Sequence, residues 1–173
     1  MGLGCVLSGD AIRAAIAASK PLLRDFRNID SQVQPNGFDL TLASIARHAG
    51  PGSVGVSNAD RQLPDIDELA FDQDGWVTLE TGCFHIVYNE IVALPLTLMA
   101  LGRPRSTLGR IGASIHTAVW DAGYEGRSTS LLTVHNPHGI RLQQHARVMQ
   151  LVFMTILEPG EHGYTGVYQG ENI

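Results

Sequence analysis

Apolar blocks bracket one dense polar stretch in this chain. IVALPLTLMAL precedes residues 102–132 and RVMQLVFMTIL follows them. Between them Arg, Ser, Gly, His, Asp and Tyr are mixed as nowhere else, the arrangement expected of a catalytic insert between buried strands. Short apolar runs with frequent turns predict strands at 76–80, 83–89 and 91–99, separated at Gly82 and at Asn89-Glu90. Residues 147–157 read as a further buried strand, in which Gln150 shares a face with Val148 and Val152. A buried Gln must find partners, because an unpaired amide costs on the order of 1–3 kcal/mol. It is satisfied by backbone or it reaches into a wet site.

Earlier in the chain, Pro35-Asn36-Gly37 reads as a tight turn, and the alternation of Phe38, Leu40 and Leu42 as a strand. Asp39 would face the other way, either as a solvated strand residue or as a functional one. Near the start, Ser8 is a candidate N-cap with Asp10 in the first turn. Ile12 and Ile16 recur at helical spacing, and Pro21 marks the end. Residues 48–75 carry Gly, Pro, Asn and Asp without a sustained period and predict an exposed connection with short strands. The Gly-rich residues 160–173 read as a mobile flap. One helix and many short strands predict a mainly β domain over 1–173, a distorted barrel or jelly-roll with a helical appendage.

Length and composition narrow the function. The 173 residues, 44% hydrophobic and 17% charged, suit one globular domain. A formal charge of −5 gives no general pull toward nucleic acid or an anionic membrane. A bound anion must then be met by a local cluster of arginines; Lys20 is the only lysine. Cys5 and Cys83 form no CxxC pair, which argues against a zinc site or a disulfide framework. The N-terminus lacks a signal-peptide pattern, and the apolar run 91–101 is interrupted by Pro95 and too short to span a bilayer. A cytoplasmic protein is expected.

The candidate chemistry lies in the polar stretch. His135, His138 and His145 surround a turn without the HExxH pattern of zinc hydrolases. Neither Ser106 nor Ser128 sits in a GxSxG elbow. Arg103, Arg105 and Arg110 flank a run of Pro, Ser, Thr and Gly that would suit phosphate, although a solvated loop has the same composition; no Walker motif is present. Residues 116–124 read as a hairpin turning at Asp121-Ala122-Gly123. Asp121 could deprotonate a water at its lip, and Tyr124 offers a flat face. An ordinary turn is the plain alternative.

Taken together, LSGDAIRAAI, VQPNGFDLTL, PRSTLGRIG, HTAVWDAGYEG, NPHGIRLQQHARVMQLVF and GYTGVYQGEN stand in an order that resembles the superfamily of trimeric dUTP diphosphatases and dCTP deaminases. The likeness is greatest to the archaeal-type dUTP diphosphatases and covers nearly the whole chain. It implies a homotrimer on the dUTPase-like β-clip fold, with sites between subunits, that hydrolyses dUTP to dUMP and pyrophosphate. Arg105 and Ser106 would hold the triphosphate with help from Arg110. Asp121 would act as general base on a water that Gln150 positions. Val119, Trp120 and Gly123 would read uracil and Tyr124 would pack on the deoxyribose, with Tyr168 and Gln169 closing from the tail. Mg²⁺ would ride on the substrate phosphates.

Two positions depart from the deaminase pattern. Leu131 stands where the deaminases carry a proton-shuttling Glu, and Val167 where they carry a tail Lys. The first disfavours a dCTP deaminase, alone or bifunctional; a non-catalytic nucleotide-binding trimer is the remaining alternative.

Overall fold

The computed structural model describes residues 6–173, so Cys5 lies outside the described residues. Helix α1 (Gly9–Ile16) starts where its sequence predicts but ends at Ile16, short of the expected Pro21. The Ser8 side chain accepts from the Ala11 amide, and Ile12 and Ile16 point into the core. Then follow β1 (Leu23–Arg24), α2 (Ile29–Gln32), β2 (Val33–Gln34) and β3 (Gly37–His48). The exposed connection contributes a 3-10 turn (Asn58–Asp60) and β4 (Ile66–Glu68). Strands β5 (Trp76–Leu79), β6 (Gly82–Tyr88), β7 (Ile91–Ala93) and β8 (Leu98–Pro104) lead to the short helix α3 (Ser106–Arg110). The remainder is β9 (Ala113–His116), β10 (Val119–Trp120), β11 (Glu125–Gly126), β12 (Thr129–Val134), β13 (Ile140–Gln143) and β14 (Arg147–Thr155).

Most strands join one curled sheet in the order β10-β8-β14-β3-β6-β12-β9, with β2 and β4 added along β3. Two smaller sheets, β1-β7-β11 and β13-β5, complete the β-rich body. The twelve residues of β3 belong to two walls. Its first part pairs with β14 and its second with β6, and the register shifts between Leu42 and Ser44 where it passes from one to the other. A bulge of this kind bends a strand and lets a sheet curl on itself. Inside the curl lie Phe38, Leu40, Leu42, Phe84, Tyr88, Leu132, Leu151 and Phe153, all at most 1% exposed. Each such side chain contributes about 1.5–3 kcal/mol through burial.

Two expectations change. The strand expected at 91–99 is two strands, because Pro95 cannot donate to a ladder and its carbonyl instead closes a turn with the Leu98 amide at 3.1 Å. In β14 a second bulge, between Arg147 and Met149, places consecutive residues Val148 and Met149 inside. Gln150 therefore shares its half-buried outward face with Val152 and Met154 and is not on the side of Val148.

One carboxylate is wholly inside. Glu90 is 0% exposed and accepts from Gln32 Nε2, the Thr41 amide and the Thr41 hydroxyl at 2.6–2.8 Å. Burial pushes its pKa up against those three donors. No helix among the described residues is long and apolar enough to cross a membrane.

Candidate active site

Gln150 pairs with Asp39 on one side and with Arg103 on the other, so β3, β14 and β8 bring these three residues into one row. Gly37 makes the row possible, because a Cβ there would stand 2.7 Å from Gln150 Nε2. Asp39 is 0% exposed, so the solvated reading of this residue is wrong. Its Oδ2 bridges the Arg105 and Arg147 guanidiniums, the latter at 3.3 Å. Its Oδ1 is buried with no partner among the described residues. Burial, and then the neighbouring Arg147, lower the Arg105 pKa. Ser106, Thr107 and Arg110 follow on α3 and are exposed. The Pro-Arg-Ser-Thr run is thus a short helical turn whose N-cap residue, Arg105, is held from behind by a buried carboxylate.

The Asp121 segment is built differently. Residues 116–124 do not form a hairpin, for β10 joins β8 in the large sheet whereas β11 joins β7 in a small one. Both arms find partners other than each other. Trp120 is buried beside Ala100, and its Nε1 donates to Ser128 Oγ at 2.7 Å. The turn is pinned by the Gly123 amide on the Leu94 carbonyl (3.1 Å) and the Leu94 amide on the Tyr124 carbonyl (2.8 Å). Asp121 stays exposed on its rim.

The chain's last residues lie on this turn. The Tyr164 amide donates to the Ala122 carbonyl at 2.7 Å. The Gln169 amide group donates to the Gly123 carbonyl at 3.0 Å and accepts from the Glu125 amide at 3.1 Å. Tyr124 donates to Glu171 Oε1 at 2.8 Å and meets the Tyr164 ring edge-on at 5.8 Å. Burial, then the bond to Glu171, raise the Tyr124 pKa, and burial raises that of Glu171. Gly123 has φ +81°, and a Cβ there would meet Gly163 Cα at 2.7 Å, so only glycine lets the tail approach. Tyr168 packs under the Arg61 guanidinium, 5.6 Å from its centroid.

A cavity of about 220 Å³ opens here, walled by Val119, Trp120, Asp121, Tyr124, Thr129 and Glu171. Of the residues expected to meet a nucleoside, Val119, Trp120 and Tyr124 line it; Gly123 shapes the turn beside it. A wider cleft of about 780 Å³ lies behind Gly123 and Tyr124. Its single carboxylate, Glu125, is engaged by Arg24 at 2.6 Å, which makes the smaller cavity with Asp121 on its rim the better place for chemistry. Leu131 sits on the same strand face as Thr129, opposite His85 and His116. An apolar side chain thus stands one step from the cavity wall.

These two groups do not meet within one chain. Trp120 lies opposite Ala100, which puts Asp121 beside Met99. Arg105 is six residues farther along, about 20 Å at the usual strand rise. Between them the outward face carries the exposed apolar residues Leu101 and Val119. Ser128, Tyr164 and Glu171 were not singled out for this site from the sequence, since a lone Ser and a Gly-rich tail carry no signal of contact with Trp120 and Tyr124. No group of three or more His, Cys, Asp or Glu side chains that could hold a metal ion stands among the described residues.

The chain is similar to known proteins in sequence and in fold. A chain named probable deoxyuridine 5'-triphosphate nucleotidohydrolase from Methanosarcina mazei is 47% identical over 167 residues, 96% of this chain and 98% of its own length. One of the same name from Archaeoglobus fulgidus is 50% identical over 168 residues, 97% of this chain and 98% of its own. The crystal structure of 2'-deoxycytidine 5'-triphosphate deaminase from Agrobacterium tumefaciens superposes with a TM-score of 0.66 at 26% identity. It covers 88% of this chain, which spans 48% of that longer one. The family model described as dCTP deaminase-like matches residues 6–156, and the chain belongs to that family.

Proposed function

We propose that this protein is a dUTP diphosphatase that hydrolyses dUTP to dUMP and pyrophosphate, with Asp121 activating the water that attacks the α-phosphorus. The observation that carries the reading is an exposed carboxylate on the rim of a cavity floored by Trp120 and Tyr124, in a chain 47–50% identical to proteins named for this reaction. A carboxylate within hydrogen-bond reach of a water can take its proton as that water attacks phosphorus. Val119, Trp120 and the backbone of the Gly123 turn receive uracil, and Tyr124 the deoxyribose. Arg105, Ser106 and Arg110 hold the triphosphate, and Gln150 orients the water from the neighbouring strand. Displacement at phosphorus needs alignment and charge neutralisation more than covalent help, which guanidiniums supply. Gln169 and Tyr168 complete the turn and its rim from the tail.

A separation of about 20 Å between Asp121 and Arg105 along one strand supports self-association. One copy would supply the base-reading turn and another the clamp, as in the homotrimer that the sequence implies. The exposed Leu101 and Val119 between them suit burial against that neighbour. Mg²⁺ fits as a cation carried in on the substrate phosphates, since the carboxylate at the clamp, Asp39, already serves two guanidiniums. When bound, it would screen phosphate charge. We place the protein in the cytoplasm, which suits the free and exposed Cys83.

The test is pyrophosphate release from dUTP, alongside ammonia release from dCTP and the mass of the particle in solution. Turnover of dUTP by a trimer, without ammonia, is expected. Ammonia from dCTP would overturn the argument from Leu131, and tight dUTP binding without turnover would leave a nucleotide-binding protein only.

A further inference from the structure

Two guanidiniums at the clamp share one carboxylate. Arg105 and Arg147 both lie on Asp39 Oδ2, and Arg147 also donates to the Ser31 carbonyl. An anion at that place meets two positive charges and one buried negative one. The pair alone therefore leaves a single net charge for a ligand that carries several.

Arg103 changes this balance. Strand β8 places it two residues before Arg105, on the same outward face, and the ladder sets it opposite Gln150. Neighbouring strands stand about 4.8 Å apart, so its root lies beside the residue taken to orient the water. Its side chain is exposed and makes no hydrogen bond or ion pair among the described residues. Pro104 follows, which fixes φ where the strand enters α3 and keeps the two arginines at a constant spacing. An unpaired, forked donor on a sheet is better fixed than one on a loop, and guanidinium matches phosphate oxygens two at a time.

We propose that Arg103 is a further phosphate-binding residue, which holds the polyphosphate from the Gln150 side of the clamp. This rests on the dUTP reading for the identity of the nucleotide, but the site itself requires only a polyphosphate. A triphosphate, with its greater charge and length, gains more from Arg103 than a monophosphate does.

Calorimetric titration of the intact protein with inorganic tripolyphosphate and with dUMP tests the assignment, on the unaltered chain and on Arg103→Ala and Arg103→Lys. Loss of one charge-assisted contact on an open face should weaken tripolyphosphate binding about tenfold in Arg103→Ala. Arg103→Lys should recover part of that loss, dUMP affinity should fall less than tripolyphosphate affinity, and the melting temperature should not move. With dUTP the Ala variant should show KM raised by a similar factor and kcat nearly unchanged. Unaltered tripolyphosphate binding in Arg103→Ala, or an equal loss for dUMP, would overturn the proposal. Should the unaltered protein release no pyrophosphate from dUTP while tripolyphosphate binding still depends on Arg103, the dUTP reading falls and the phosphate site stands.

Discussion

The clamp and the Asp121 turn solve the same problem, holding polar side chains at a surface, by opposite means. At the clamp, three adjacent strands of one sheet fix the row Arg103, Gln150 and Asp39, and a wholly buried carboxylate tethers Arg105. The turn belongs to no single sheet. Its arms join different ladders, and residues 164–171 complete its hydrogen bonds. The clamp therefore gathers charge on one sheet, whereas the turn depends on a distant segment for its hydrogen bonds. A rigid receptor for phosphates and an adjustable seat for the nucleoside would serve a site whose halves come from different copies.

Substitutions can break or sharpen this contrast. Asp121→Asn should lower dUTP turnover by about 10² to 10⁴-fold, the usual contribution of a general base, with an unchanged melting curve because the residue is exposed. Turnover that survives would remove Asp121 from the mechanism. At the clamp, function and stability should fall together. Asp39→Ala leaves two facing guanidiniums without their carboxylate and should cost about 3 kcal/mol in chemical denaturation, with weaker triphosphate binding besides. A variant as stable as the parent would mean that the bridge contributes nothing net.

Smaller effects are expected at the turn. Gly123→Ala forces a Cβ onto positive φ and against Gly163, so it should cost about 1–2 kcal/mol and raise hydrogen exchange over 164–171. Identical exchange would show that the tail does not depend on this approach. The smallest effect concerns pH. Burial raises the Glu171 pKa above that of the free tail. Docking is then fully favoured below the ordinary carboxylate range and weakens as pH rises through the raised value. The protection factor of the Arg127 amide, which donates to the Glu171 carbonyl at 2.9 Å, should fall over that window and stay level in Glu171→Gln.

Much of the clamp was legible in advance. Periodicity located β3 and β14, and the Arg-Ser-Thr run drew attention to Arg105 and its neighbours. Which neighbour holds Arg105 was not legible, because Asp39 reaches it through a register between strands far apart in sequence. The same holds for Gln150, whose face is set by a bulge that shifts the alternation by one residue. Around Asp121 the local pattern misled. A tight turn between two short apolar runs has the form of a hairpin, but tertiary pairing with Leu94 and Ala100 claims each arm separately. The tail's seat could not be read from pattern for a similar reason, as Gly-rich sequence specifies turns and not their partners; only the resemblance pointed to Tyr168 and Gln169.

The double membership of β3 also bears on the order in which the molecule assembles. Its contact with Arg147 joins positions 108 apart in the chain, whereas β6 and β12 lie nearer to each other and to β3. Long loops lose more entropy on closing, and topologies rich in distant pairings fold slowly. The wall formed by β3, β6 and β12 should therefore gain protection first in refolding. The row that carries Asp39 and Gln150 would follow, so that competence to bind polyphosphate reports the last stage of folding.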